Sequence, residues 1–251
     1  TFMGWSTKPM QSVSPQYEAE EKITVNGNVD LYAVVFNRTT ETDLTEDQLP
    51  QVDIYKYKQV IFVGDSRTEF MENVLTGMGE SATKNVKFVC SAGKGLDWFT
   101  TTGWAQLYSI VQHDSNSILS KKTAVIFNFG VNDLSKSADY AEYYNWIAPQ
   151  LKSKGCELYF MSVNPVNRLM LPNAGRADRS EAAVRSFNQY MKANLSSAYT
   201  YIDMYSYLKS TGYSFASDHY GTGTVDDGLH YTTRTYKRIF AKCMDSLRVP
   251  A

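Results

Sequence analysis

The chain lacks an excess of charge of either sign: 25 Lys and Arg stand against 26 Asp and Glu, a formal net charge of -1 over 251 residues. Phosphate binding needs clustered cations, so nucleic acid is excluded as an expected partner. No run of about 18 apolar residues occurs, so no membrane span is expected. Cysteine is scarce. Cys90, Cys156 and Cys243 are odd in number and far apart, which excludes a disulfide framework and a zinc cluster and leaves buried thiols. Only three histidines are present, His113, His219 and His230. They are scattered and form no His-Glu-x-x-His pattern, so they offer no metal site. The Gly-x-Ser-x-Gly elbow of the usual α/β-hydrolases is missing. Lys94 lies between glycines without the upstream spacing of a phosphate loop. No metal or organic cofactor is therefore expected. Thr1 opens the chain, and no basic stretch precedes an apolar run, so no signal peptide is expected; the chain reads as a mature product or as a piece of a longer one.

What is present is ordinary for a globular protein. Hydrophobic residues make up 43% and charged residues 20%, enough apolar area to offset the ordering entropy that keeps poorer sequences disordered. At about 100–200 residues per domain, the length fits one large domain, or one domain and a small module. Residues 1–40 read as a small β-rich segment. Ile23–Val25 and Val29–Phe36 are strand-like, and Asn26-Gly27 between them is a strong hairpin signal because both residues tolerate positive φ. Residues 41–53 hold five acids and no base. The stretch 41–54 thus reads as a solvated linker, or as a short helix that ends before Pro50.

From residue 55 to 251 the pattern alternates strand and helix. Strands are expected at 59–63, 86–90, 124–129, 157–163 and 199–203, and helices at about 66–78, 103–113, 138–153, 179–195 and 232–247. The apolar runs are short and continuous, as in strands buried on both faces. This predicts an α/β fold of flavodoxin-like, three-layer α/β/α type with a five-stranded parallel sheet, preceded by the small hairpin-containing segment. In such sheets the site lies beyond the carboxyl ends of the strands.

Four stretches fall at those ends: Gly64-Asp65-Ser66-Arg67, Ser91-Ala92-Gly93-Lys94-Gly95, Gly130-Val131-Asn132-Asp133 and Asp226-Asp227-Gly228-Leu229-His230. Together they hold a hydroxyl, two flexible backbone turns, an amide side chain, and a carboxylate three residues before an imidazole. A serine hydroxyl needs a base to become a nucleophile. A neutral imidazole is a suitable base near pH 7, and a carboxylate orients it. Backbone N–H groups and an Asn amide can receive a developing oxyanion.

In order and spacing these stretches resemble the four blocks of the SGNH (GDSL-type) hydrolase superfamily, over residues 57–247. The resemblance implies that Ser66 is the nucleophile, His230 the general base and then acid, and Asp227 the residue that orients it. It implies an oxyanion hole made by the backbone of Ser66, the backbone of Gly93 and the side chain of Asn132, with Gly95 a competitor for the Gly93 role. Arg67 follows the nucleophile where many members carry an apolar residue. It either contacts an anionic or hydroxyl-rich substrate or points to solvent. Trp98 either stacks on a sugar at the cleft or packs in the core. Ser66 is also a residue type favoured at a helix N-cap. His219 reads as structural or as part of the rim, Tyr140–Tyr144 as a helix face, and loop 164–178, with Arg168 and Arg176, as a candidate wall.

The N-terminal piece carries a second resemblance. Gly4-Trp5-Ser6, Tyr17, and Asn28-Val-Asp-Leu-Tyr-Ala-Val34 are similar to the second half of the internalin-B-type (Listeria–Bacteroides) β-repeat, over residues 2–36. That implies an exported protein at a bacterial surface, with further repeats in a longer parent chain. The two resemblances together imply an extracellular serine esterase that removes acetyl or other short acyl groups from carbohydrate or another small ester. Two other readings stay open: a surface adhesion module with a vestigial hydrolase domain, and an esterase or lipase acting on lipid or peptidoglycan acyl groups.

Overall fold

A computed structural model describes the chain except for residues 54–55, 115–121, 219 and 248–251 and the side chains of 113 and 114. The expectation for His219 therefore lies outside the described residues. Five strands, β3 (Tyr57–Gly64), β4 (Val86–Cys90), β5 (Lys122–Asn128), β6 (Cys156–Met161) and β7 (Tyr199–Ile202), form one parallel sheet in the order β4-β3-β5-β6-β7. The alternation of side chains across these strands builds two cores. Val60 and Phe62 of β3, Ala124 and Ile126 of β5, and Tyr159 and Met161 of β6 face one side; Ile61 and Val63, Val125 and Phe127, and Leu158 and Phe160 face the other. Helices α1 (Ser66–Met78) and α7 (Thr233–Ser246) cover the first side. Helices α3 (Trp104–Asp114), α4 (Ser137–Lys152) and α5 (Glu181–Asn194) cover the second. Tyr140 and Tyr144 of α4 are fully buried there, as a core-facing helix stripe requires.

Sheet order places the site. The chain enters at β3, steps to β4 on one side, then crosses to β5 on the other. The two crossovers leave in opposite directions, which opens a crevice above the carboxyl end of β3. Gly64 pairs with Cys90 and with Asn128, so the loops after β3, β4 and β5 start at one level. Two α-helices were not anticipated: α2 (Leu96–Trp98), which passes through a π turn (Phe99–Gly103) into α3, and α6 (Met204–Thr211) after β7.

The N-terminal segment does form a two-stranded antiparallel sheet, but not around Asn26-Gly27. Strand β1 (Phe2–Ser6) pairs with β2 (Tyr32–Val35), with Trp5 opposite Ala33 and bridged to Tyr17. Ile23–Val25 is not a strand. The reason is burial: Val25 and Val29 are half exposed, whereas Met3 and Val34 reach the first core at 0% and 1% exposure. A local turn signal gains little unless the strands it joins bury apolar area. Nor is the acidic stretch wholly solvated. Its helical part is a 3-10 turn, Glu46–Gln48, which ends before Pro50. Leu49 and Val52 join the first core. Glu41 is buried and accepts from Thr232 Oγ1 at 3.0 Å and Arg238 Nη1 at 3.1 Å; burial pushes its carboxyl above the usual carboxylate range.

Candidate active site

Helix α1 starts where it does because Asp65 caps it, its carboxylate accepting from Arg67 N at 3.0 Å. The cap therefore falls on Asp65 and not on Ser66. Ser66 is the first helical residue, and its hydroxyl is free to meet another element. It meets His230: Ser66 Oγ lies 2.9 Å from Nε2, and His230 Nδ1 lies 2.7 Å from Asp227 Oδ2. All three side chains are at most 5% exposed. One helical turn beyond Ser66, Phe70 stacks on the imidazole with ring centroids 4.3 Å apart, fixing the ring plane.

The turn Asp227–His230 is held by two neighbouring carboxylates: Asp226 Oδ1 accepts the backbone N–H of Gly228 at 2.8 Å, and Asp227 takes the rest. Asp227 Oδ1 accepts the backbone N–H of Leu229 at 2.9 Å and of His230 at 2.8 Å, while Oδ2 accepts from the imidazole. Burial pushes the Asp227 carboxyl up, but the hydrogen bonds and charge of His230 and those two backbone N–H groups outweigh it, and the group sits below the usual range. It is thus an ionised acceptor, so Nδ1 holds the proton and Nε2 accepts from the Ser66 hydroxyl. Burial lowers the His230 pKa, against the opposing pull of Asp227, and the cations Arg176 and Arg67 lower it further. The imidazole is neutral at pH 7, the form that can take a proton.

Across the cleft lie Gly93 and Asn132. Gly93 has φ +70 and an open space where a Cβ would stand, so its backbone conformation, not crowding, selects glycine. Gly95 serves a different end. A Cβ there would stand 2.3 Å from Asp133 Oδ2, and the space lets that oxygen accept Leu96 N at 2.9 Å. Asp133 Oδ1 accepts from Tyr140 at 2.7 Å. Of the two glycines, Gly93 lines the cleft and Gly95 joins the second loop to the third.

Asn132 is held at both ends. Its Nδ2 donates to Lys94 O at 2.8 Å, and its Oδ1 accepts from Arg179 Nη2 at 2.9 Å. A guanidinium only donates, so Arg179 fixes which end of the amide is the oxygen and leaves the second Nδ2 hydrogen for another acceptor. Arg179 also donates from Nε to Val131 O at 2.6 Å. No motif pointed to Arg179, and Phe70 was traceable only through its i+4 spacing from Ser66.

Two expected substrate contacts are placed elsewhere. Arg67 faces neither substrate nor solvent: it is 3% exposed. Its guanidinium donates to Leu229 O at 3.0 Å, Asn164 O at 2.8 Å and Pro165 O at 2.8 Å, with the Tyr231 ring 5.1 Å away. Trp98 packs on Phe129 and against Gly103 instead of lining the cleft. Of the wall residues, Arg176 lines the cleft, whereas Arg168 pairs with Asp178 and Glu20. The cleft has a volume of about 300 Å³ and only two large apolar side chains, Phe70 and Leu229, in its wall.

Residues 60–243 match the family described as GDSL-like lipase/acylhydrolase. Among solved structures, the fold is similar to a candidate acylhydrolase of Bacteroides fragilis at 15% identity and a TM-score of 0.52, covering 80% of this chain and 92% of that one. It is similar to a candidate SGNH hydrolase of Slackia heliotrinireducens at 13% identity and a TM-score of 0.53, covering 77% and 100%. No curated protein sequence matches the chain. No described helix is long and apolar enough to cross a membrane.

Proposed function

The chain belongs to the family of GDSL-like lipases and acylhydrolases, and from that premise we propose that it is a serine esterase of short acyl groups acting through an acyl-Ser66 intermediate. The observation that carries the reading is the unbroken chain from Asp227 Oδ2 through His230 to Ser66 Oγ, at 2.7 and 2.9 Å, with Gly93 and Asn132 facing it. Ser66 Oγ bonds to the ester carbon as its proton passes to His230 Nε2. Asp227 stabilises the imidazolium. The oxyanion is received by the backbone N–H groups of Ser66 and Gly93 and by Asn132 Nδ2. Collapse breaks the bond to the alcohol oxygen, which takes the proton from His230. Water then attacks the acyl-serine, gives its proton to His230, and releases the acid; Ser66 recovers the proton.

A cleft with two large apolar side chains favours acetyl or another short acyl group over a long alkyl chain, which needs continuous apolar surface. The proposed source of the ester is an acylated carbohydrate at a bacterial surface. That part rests on the likeness of residues 2–36 to a surface-protein repeat and on the polarity of the cleft.

The test is hydrolysis of 4-nitrophenyl acetate, butyrate and octanoate by the wild type and by Ser66→Ala. Activity is expected to fall with chain length. The variant is expected to lose about three orders of magnitude or more in kcat. A Ser66→Ala protein with near-full activity overturns the assignment. A fluorophosphonate that fails to label the wild type favours an adhesion module instead.

A further inference from the structure

We propose that the ester accepted by this cleft carries a carboxylate on its alcohol portion and that Arg176 receives it, with Arg179 adding to the field. The inference rests on the esterase reading and names its substrate class.

The charged side chains that line the cleft beside His230 are Arg176 and Arg179. Of the carboxylates around the cleft, Asp65 and Asp227 are 1% and 0% exposed and lie behind the wall, and Glu69 is taken up by the backbone N–H of Ala92 at 2.7 Å. Asp65 is occupied by the amide of Arg67, and Asp227 by those of Leu229 and His230 and by the imidazole. A third cation, Arg67, is buried next to the nucleophile, and its hydrogen bonds all end on carbonyls. The two charged side chains that an entering ester meets in this wall are therefore both cations. Counter-charge set behind a wall cannot hydrogen-bond to a ligand, whereas a guanidinium in the wall can.

Arg176 is held by one edge. Nη2 reaches Asp227 Oδ2 at 3.2 Å, Nε is buried without an acceptor, and 36% of the side chain is exposed. Nε is closed off from the cleft, so the exposed part of the group is the Nη1/Nη2 edge, and a planar carboxylate is the ligand that can take two parallel N–H groups from that edge. Arg176 lies on the Asp227–His230 side of the cleft. The leaving oxygen must lie on that side to take the proton from Nε2, while the acyl oxygen faces Gly93 and Asn132. The anion that meets Arg176 thus belongs to the alcohol.

The experiment compares three phenyl acetates that differ in charge at the para position: 4-acetoxybenzoate, methyl 4-acetoxybenzoate and 4-(trimethylammonio)phenyl acetate. Each kcat/KM is divided by the rate constant for alkaline hydrolysis of the same ester, which removes leaving-group reactivity. The anion is expected to lead the neutral ester by about tenfold and the cation to come last, with the spread shrinking at high salt. Arg176→Gln is expected to bring the anion-to-neutral ratio close to one, and Arg176→Lys to keep most of it. Three esters hydrolysed with a flat or reversed order overturn the proposal and leave the esterase reading standing. If none is turned over, fluorophosphonate labelling of Ser66 is run with 4-hydroxybenzoate or 4-hydroxybenzamide as protectant. Selective protection by the acid supports the anion site, and equal protection overturns it. A wild type that does not label overturns the esterase reading itself.

Discussion

In the proposed reaction, His230 sets the pH range in which the site can act. Burial lowers its pKa below the ordinary 6.5, and Arg176 and Arg67 press in the same direction against Asp227. Only the neutral ring can accept the Ser66 proton, so kcat/KM is expected to rise with pH along a limb below 6.5 and to be level from about pH 7. In Arg176→Gln one of the depressing cations is gone, and the limb should move to higher pH; a limb that stays put would mean that Arg176 does not act on the ring. Stability is a poorer reporter of the same titration. With its folded pKa lowered, His230 contributes stability that is full above the unfolded value and lost as pH falls through the folded one. Asp65 acts in the opposite sense. Burial raises its carboxyl to about 6, against the pull of Arg67, so its contribution is full below 3.8 and lost as pH rises through about 6. The two contributions run in opposite senses with pH, which is why the rate profile is the measurement to make.

At the scale of elements, Arg67 joins three pieces of chain that are remote in sequence. It sits on the first turn of α1 and donates to the loop after β6, at Asn164 and Pro165, and to the turn before α7, at Leu229. One rigid fork thus holds the helix that begins at Ser66 against the turn that carries His230. An ammonium cannot span three carbonyls that a planar guanidinium reaches. Arg67→Met is expected to cost about 3 kcal/mol in urea unfolding, because buried carbonyls lose their donors. It should also lower kcat more than it changes KM, since Leu229 adjoins His230. Near-native stability would contradict this role. Arg67 also marks where the sequence becomes unreadable. The placement of Ser66, Gly93, Asn132, Asp227 and His230 around one cleft is legible because each proposed role depends on backbone a few residues away: a strand end, a left-handed turn, a carboxylate three residues before an imidazole. The five strands are legible for a similar reason, since apolar runs buried on both faces need no partner to be identified. The partners of Arg67 and Arg179 are carbonyls and an amide in loops that meet only after the sheet has formed, so neither the buried clamp nor the residue that orients Asn132 leaves a local trace.

At the scale of the whole molecule, the N-terminal segment and the sheet share one interior. Met3, Val34 and Phe36 are buried in the same core as α1 and α7. Polar contacts close the seam. Lys209 of α6, itself 5% exposed, lies 2.7 Å from Glu18 and 3.1 Å from Glu181 and donates to Met3 O; Ser14 N donates to Lys209 O at 3.0 Å. Loss of the segment would take Glu18 and the Met3 carbonyl away from this buried ammonium and leave it with Glu181 as its remaining carboxylate, removing two of the partners that offset its desolvation. This is also why the hairpin signal at Asn26-Gly27 failed: pairing was decided by which strand could bury Met3 and Val34 against the sheet, a fact with no local signature. The seam predicts a single cooperative unit. Phe36 packs its ring over Gly212 at the end of α6, and Phe36→Ala is expected to lower the free energy of unfolding by about 3 kcal/mol through lost burial and the cavity left behind. Far-ultraviolet circular dichroism and esterase activity should be lost together along the urea curve, at a lower midpoint than in the wild type. If the segment were instead a separate module on a linker, the same substitution would leave the midpoint of the catalytic part in place. A two-step curve in which activity outlasts the first transition would establish that independence.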